Sequence, residues 1–214
     1  MQAVERVLIH VPIIHTQADM GALGDCIRQQ LVQRFGEQWW RSKTSLVDRI
    51  WDEIGTTLLN VNLPYDRVHI YQDGLPICDR EFDIVNELAA AGSRNHRLLL
   101  AMARRGALIM GTESGELLVE EYSRIQRLLG TSGVPTQQKK ATASGNALIE
   151  KRDRFVANRI DTTLARGELG IVFIGSLHSI VRFLPKDIRV VSFVPFADNR
   201  RRVLQALRQA MRVS

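Results

Sequence analysis

Gly170-Ile-Val-Phe-Ile174 is the clearest buried strand in the sequence, and Gly175-Ser-Leu-His178 follows it directly. A short β-branched and aromatic run of this kind predicts a strand that is buried on both faces. Similar runs occur at 6–14, 67–71, 107–110 and 188–194, and helical stretches separate them. Strands that alternate with helices predict an α/β fold, here a Rossmann-like, mostly parallel sheet with helices on both faces.

The segments between the strands have the apolar spacing of amphipathic helices. Helices are predicted over 17–35, 44–59, 80–91, 94–105, 115–129, 147–166 and 197–212. Residues 130–146 are polar and small, and they predict a long loop that is mobile. The length of 214 residues fits a single α/β domain over 1–214.

Composition excludes few classes of protein. The net charge is +6, from 29 basic and 23 acidic residues without a long run of like charges, so nucleic-acid binding is permitted but not indicated. The two cysteines form no metal-type pair, which predicts a reducing, cytoplasmic location. The first apolar run is too short to span a membrane and lacks the flanks of a signal peptide, so we expect a soluble protein without membrane contact.

Polar side chains follow four of the predicted strands. His15 follows the first strand, Asp73 the second, Glu113 the third and His178 the fourth. Ligands bind beyond the carboxyl ends of the strands in open parallel sheets, so these side chains are expected at one rim. The candidate ligand contacts at this rim are Asp73, Gly111, Gly175 and Asp19.

Two imidazoles and a carboxylate support two kinds of chemistry. His15, Glu113 and His178 would bind a divalent metal ion such as zinc, manganese or cobalt, which lowers the pKa of bound water. Alternatively, the same side chains would act as general acid and base without a metal. The spacing along the chain distinguishes neither, because it contains no His-x-x-x-His pattern.

The helix predicted over 147–166 carries charges on its apolar stripe. Arg152 and Asp153 come three and four residues after Ile149, so they share a helix face with it. A charge directed toward the interior must be paired or used, and Arg152 would bind an anion or stabilise a developing oxyanion. The alternative is a surface ion pair at the edge of the stripe.

The order of these residues resembles the TraB/Tiki/erythromycin-esterase/ChaN superfamily. A strand that leads to His15, a later Glu113, a helix with Arg152 and a strand that closes in Gly-x-x-His178 follow that arrangement, although Pro12 stands where the first Gly-x-x-His motif has its glycine. The resemblance implies a Rossmann-like sheet and a site of two histidines, a glutamate and an arginine. Members include proposed metal-dependent proteases, esterases and haem carriers.

Two functions are therefore expected. The first is a hydrolase of the TraB/Tiki type that acts on a small molecule or peptide, with His15, Glu113, Arg152 and His178 as catalytic residues. The second is a non-catalytic ligand-binding or regulatory module that binds a small anion, nucleotide or haem at the same rim, with Arg152 and the Gly21–Gly24 turn as contacts. Trp39 and Trp40 either pack between helices or line a pocket, and the helix over 44–59 is a candidate homo-oligomer interface.

Overall fold

The fold is built on a sheet of five parallel strands. A computed structural model describes residues 6–17, 19, 23–130, 135–193, 203 and 205, and the side chains of these residues except those within 129–144. The strands are β1 Arg6–Ile13, β2 Val68–Gln72, β3 Leu108–Met110, β4 Leu169–Gly175 and β5 Ile188–Ser192. Their order across the sheet is β3-β2-β4-β1-β5, and every neighbouring pair is parallel. The predicted α/β architecture is confirmed.

Six α-helices connect or follow these strands within the described part of the chain. They are α1 Gly24–Phe35, α2 Glu37–Leu59, α3 Glu81–Ala90, α4 Arg94–Ala103, α5 Gly115–Gly130 and α6 Pro135–Thr163. Each corresponds to a predicted helix, but α1 begins seven residues later and α2 seven residues earlier than predicted. Apart from the start of α6, the other ends differ from the predicted ones by three residues or fewer. The helix predicted over 197–212 lies outside the described residues, except for the helical positions Val203 and Gln205. None of the described helices is both long and apolar enough to cross a membrane.

Residues 135–146 differ from the prediction of a polar loop, because they form the first turns of α6. Polar residues such as glutamine and lysine are good helix formers when they face water, and Pro135 stands at the first helical position, where its missing N–H costs nothing. Polarity alone therefore does not distinguish a loop from a solvated helix. Residues 131–134 lie outside the described part of the chain.

Helices cover both faces of the sheet, as predicted. On one face, Val47, Trp51 and Ile54 of α2 join side chains of α3 and α4 in the larger apolar core. On the other face, Val156 and Ile160 of α6 pack against β4 and neighbouring strands in a smaller core. Burial of these side chains is the main favourable contribution to the fold.

The strand order explains why one rim collects the polar residues. β4 lies between β1 and β2, so the segments that follow these three strands emerge side by side. β3 lies beside β2, and the segment after it pairs back onto the turn after β2 through a bridge between Glu113 and Pro76. Parallel strands end at the same edge, so His15, Asp73, Glu113 and His178 all lie on that edge.

Candidate functional site

Arg152 is the centre of a buried charge cluster at this rim. Its guanidinium donates Nε–H to Glu113 Oε2 at 2.9 Å and Nη2–H to Asp73 Oδ1 at 2.8 Å, with a further short contact from Nη2 to Glu113 Oε1. Its Nη1 donates to Glu121. The Arg152 residue is 3% exposed, so the alternative of a surface ion pair is wrong. The guanidinium nitrogens all point at the protein's own carboxylates.

Asp73 links this cluster to the two histidines. While Oδ1 faces Arg152, Oδ2 accepts a hydrogen bond from the Gly175 backbone N–H at 2.8 Å and contacts His15 Nε2 at 3.1 Å. The chain turns directly after Asp73 at Gly74, whose φ of +77° is in the region that favours glycine. The Asp73 side chain is only 4% exposed, so its charge is balanced by these partners and not by water.

Gly175 must be small where it stands. A Cβ at this position would lie 3.0 Å from Asp73 Oδ2 and 3.5 Å from His15 Nε2. The absence of a side chain therefore lets the end of β4 donate its N–H directly to the carboxylate. Gly175 was predicted to contact a ligand, and in the structure its backbone N–H donates to Asp73.

The second histidine is held by a second aspartate. His178 Nδ1 lies 2.6 Å from Asp153 Oδ1, and Asp153 Oδ2 accepts the backbone N–H of Ser179 at 2.9 Å. The other ring nitrogen, His178 Nε2, lies 3.7 Å from Asp73 Oδ2. The Nε2 atoms of both histidines therefore approach the same oxygen atom of Asp73.

The carboxylates change the protonation of both histidines. Burial alone would lower the pKa of His15, but the hydrogen bond and charge of Asp73 outweigh burial and raise it. Burial likewise opposes protonation of His178, but Asp153 and Asp73 raise its pKa above the ordinary value. Both imidazoles are thus more basic than free histidine.

The surroundings shift the pKa values of the two acids Asp73 and Glu113 in opposite directions. Burial would raise the pKa of Asp73, yet His15, His178 and Arg152 together hold it well below its usual range. Burial raises the pKa of Glu113, and the neighbouring charge of Asp73 adds to this effect although Arg152 opposes it. Of the two acids, Asp73 therefore favours the ionised form, and Glu113 is the one that more readily accepts a proton.

Asp19 lies outside this cluster, although it was a predicted ligand contact. Its Oδ2 accepts hydrogen bonds from the Thr16 backbone N–H at 2.7 Å and from the Thr16 hydroxyl at 2.8 Å. Its Oδ1 accepts from the Ser93 hydroxyl, which also lies 2.7 Å from His96 Nδ1. Asp19 thus fastens the His15 loop to the start of α4, and Ser93 caps that helix by accepting the backbone N–H of His96.

The two predicted glycine contacts at the edge of the site also have structural partners. Gly111 is buried, and an added Cβ would lie 2.5 Å from Glu81 Oε1 and 2.7 Å from Ile77 Cα, while its carbonyl accepts from Arg159 Nε. Gly24 has no space for a side chain either, because a Cβ would lie 2.5 Å from the carbonyl oxygen of Gln17. Gly21, the other glycine of the predicted anion turn, lies outside the described residues.

Sequence reasoning missed Glu121, which completes the set of carboxylates around Arg152. Its neighbour Glu120 is exposed, so the Glu-Glu pair on α5 has the pattern of an ordinary solvated helix face. The partner of Glu121 lies on another helix, and no local spacing records such a contact. The place of Asp153 on the buried stripe of α6 predicted that its charge would have a partner. It did not predict that this partner is His178.

No protein-family profile, curated protein or solved structure matches the chain.

A small cleft lies beside the cluster, on the side of α2. Its volume is about 190 Å³, and His15 forms part of its wall together with Thr16, Gln17, Trp40, Lys43, Thr44, Val47, Asp48, Gly92 and Arg94. The side chain of His15 is 32% exposed, whereas that of His178 is 6% exposed. Of the two histidines, His15 is therefore the one that connects the buried carboxylates with a space open to ligands.

The distances around Asp73 Oδ2 can be compared with those between the ligands of a metal ion. Among the described residues, no group of three or more His, Cys, Asp or Glu side chains has the arrangement of a formed metal site. Two atoms that each bind one ion at about 2.1 Å lie roughly 3–4 Å apart. The distances from Asp73 Oδ2 to His15 Nε2 and His178 Nε2, 3.1 and 3.7 Å, fall in that range. Each of these two pairs, taken by itself, therefore has the donor types and spacing of two ligands to one divalent ion.

Proposed function

We propose that the protein is a hydrolase of the TraB/Tiki type and that His15, paired with Asp73, is its general base and acid. One observation carries this proposal: His15 contacts a buried, ionised carboxylate through Nε2 while its ring borders a cleft. A histidine held by a carboxylate is the usual arrangement for proton transfer in enzymes.

The roles of the two ring nitrogens follow from the contact with Asp73. Because Asp73 is ionised, it accepts the Nε2–H of the neutral imidazole and leaves Nδ1 as the basic nitrogen. His15 would take a proton from water as the oxygen of that water attacks an acyl carbon. It would then return the proton to the leaving oxygen or nitrogen as the acyl bond breaks, so that one water is consumed per bond.

The structure supports a positioning role for the buried arginine and glutamate. The nitrogens of Arg152 contact Asp73, Glu113 and Glu121. In this proposal Arg152 therefore orients Asp73, and it does not stabilise an oxyanion as the sequence predicted. Glu113 faces Arg152 with both carboxylate oxygens and is fully buried, which removes it from the expected set of metal ligands.

A divalent ion, if the enzyme uses one, would be held by His15, His178 and Asp73. The contact of His178 Nδ1 with Asp153 matches the carboxylate–histidine pairs that orient metal-binding imidazoles. The chemistry supplied by such an ion is a lower pKa of bound water and polarisation of an acyl oxygen. The three carboxylates around the Arg152 guanidinium, together with Asp153 beside His178, leave negative charge that favours a cation there.

The test is hydrolysis of a panel of p-nitrophenyl esters and peptide anilides by wild type, His15→Ala and His15→Gln. Loss of at least about a hundredfold in kcat/KM is expected for both variants, since general base catalysis contributes roughly 10²–10⁴-fold. His10→Gln is the matched control, because His10 lies on β1 away from the cluster and its removal should leave activity unchanged. Equal activity in wild type and both His15 variants would refute the proposal.

Metal dependence is measured on the same preparations. Elemental analysis after incubation with zinc, manganese or cobalt is expected to find one equivalent in wild type and less in His178→Ala. Activity that survives chelation and is lost in His15→Ala would assign acid–base chemistry without an ion. Binding of nucleotide or haem without any hydrolysis would favour the non-catalytic module instead.

A further inference from the structure

Within the described part of the chain, Lys43 in the wall of the cleft beside His15 makes no ion pair with a carboxylate. Its ammonium group instead contacts two aromatic rings: Nζ lies 5.3 Å from the centroid of Trp40 and 5.6 Å from that of Trp39. These cation–π contacts orient the ammonium group but leave its three donors open for a ligand. Lys43 is half-buried, so its charge is less screened than that of a fully exposed lysine.

The second cation of the wall is already neutralised. Arg94 pairs with Asp48 through Nε at 2.9 Å and with Asp52 through Nη1 at 2.5 Å. Because Arg94 carries one positive charge and contacts the two carboxylates of Asp48 and Asp52, a net negative charge remains beside the cleft and disfavours a dianion. The electrostatics of the cleft thus match a ligand with a single negative charge placed next to Lys43.

The shape of the cleft adds a second requirement. Trp40 presents an aromatic surface, and Val47 adds an apolar one, so part of the ligand must be apolar. The volume of about 190 Å³ is smaller than the roughly 300–1,000 Å³ of pockets for drug-sized ligands, so it fits a small acid or one end of a longer molecule.

We propose that this cleft binds the carboxylate end of the substrate, with Lys43 as the charge partner of the carboxylate and Trp40 packed against the apolar group beside it. The inference rests on the proposed hydrolysis at His15, because that side chain borders the same cleft and would act on the bond next to the bound end. The substrate class is accordingly an ester or amide whose acyl or leaving part carries a carboxylate and an apolar or aromatic group.

The test measures binding separately from turnover. The probes are 3-phenylpropanoate, its neutral isostere 3-phenylpropanamide and phenyl phosphate, titrated into ¹⁵N-labelled full-length protein. The indole N–H signals of Trp40 and Trp51 are the readout, and Trp39→Phe and Trp40→Phe assign the three tryptophan signals of the chain. The Trp40 signal is expected to shift with 3-phenylpropanoate, whereas Trp51, which is 3% exposed in the core, serves as the internal reference.

Lys43→Met is expected to weaken 3-phenylpropanoate binding by about fivefold and to leave 3-phenylpropanamide binding unchanged, since a partly exposed ion pair contributes modestly. Arg41→Met is the matched control, because it removes the same charge from a side chain of α2 that is 79% exposed and lies outside the cleft wall. It should leave both affinities as in wild type.

The outcomes separate this inference from the proposed function. Carboxylate binding that depends on Lys43 without any hydrolysis would support the cleft and refute the hydrolase. Hydrolysis that depends on His15, together with equal binding of acid and amide, would refute the cleft assignment alone. Tighter binding of phenyl phosphate than of 3-phenylpropanoate would overturn the choice of a carboxylate, as would an equal effect of Lys43→Met and Arg41→Met.

Discussion

Replacement of Arg152 by methionine should destabilise the protein severely, because it leaves buried carboxylates without their cation. The side chains of Asp73 and Glu113 are 4% and 0% exposed, and that of Glu121 is 23% exposed. Removal of one partner from a buried ion pair costs about 3–5 kcal/mol. A domain of ordinary stability has about 5–15 kcal/mol in total, so Arg152→Met should lose a large share of it.

The assay is equilibrium unfolding in urea at neutral pH, followed by far-ultraviolet circular dichroism. Arg154→Met is the control, since the Arg154 side chain is 62% exposed and pairs with a Glu150 that is 45% exposed. It also lies over the ring of Phe183, so the control should lose at most about 1 kcal/mol. If Arg152→Met does not fold, Arg152→Lys takes its place, because lysine keeps the charge without the forked geometry of the guanidinium. Arg152→Lys should unfold at a lower urea concentration than wild type.

Two further measurements distinguish lost charge from lost packing. Glu113→Gln added to Arg152→Met should restore part of the free energy of unfolding, because it removes one of the uncompensated charges. The destabilisation should also shrink as the pH is lowered toward the range where buried carboxylates become protonated. Two results would show that Arg152 does not balance the charge of the cluster. One is a loss of unfolding free energy in Arg152→Met no larger than in Arg154→Met, and the other is a further loss when Glu113→Gln is added.

Three other substitutions test separate contacts. Gly175→Ala should displace the carboxylate of Asp73, because the new Cβ would lie 3.0 Å from Oδ2; we expect a larger loss in kcat/KM than in thermal stability, and unchanged kinetics would argue against that contact. In wild type, burial would raise the pKa of Asp19, but its hydrogen bonds lower it, so its stabilisation is present above the ordinary pKa of about 3.9 and is lost as the pH falls through the lower folded-state value. Asp19→Asn should therefore be less stable than wild type at neutral pH, with a difference that narrows below about pH 4 in thermal melts; a constant difference would contradict this. Tyr71→Phe removes the 2.8 Å hydrogen bond to Thr163 and should cost about 1 kcal/mol in urea unfolding; burial raises the pKa of Tyr71 to about 12, so this loss should not change between pH 6 and about pH 9.

The position of the site was predictable because ligands bind beyond the carboxyl ends of the strands in parallel sheets. A parallel sheet brings the residues that follow its strands to one rim, so recognition of the strands before His15, Asp73 and His178 was enough to place them together. The place of Arg152 on an apolar stripe likewise predicted a buried charge with partners. Both inferences use only local periodicity and one general property of the fold.

The partners within the site could not be predicted in the same way. Hydrophobic periodicity records which side of an element faces the core, but it does not record which strand lies beside it. The order that places β4 between β1 and β2, and hence His178 near Asp73, follows from the whole packing of the chain. The contact of Glu121 with Arg152 joins two helices, and no spacing within either helix indicates it.

The central position of β4 has a consequence for synthesis on the ribosome. β1 and β2 are made before β4 and do not pair with each other, because both pair with β4, which begins about a hundred residues after β2 ends; until then β2 can pair only with β3. Until that segment appears, the nascent chain carries two apolar strands with open hydrogen-bonding edges, which are sites where unfolded chains associate. Slow translation between β2 and β4 should therefore lower the yield of folded protein, whereas slow translation after β5 should not.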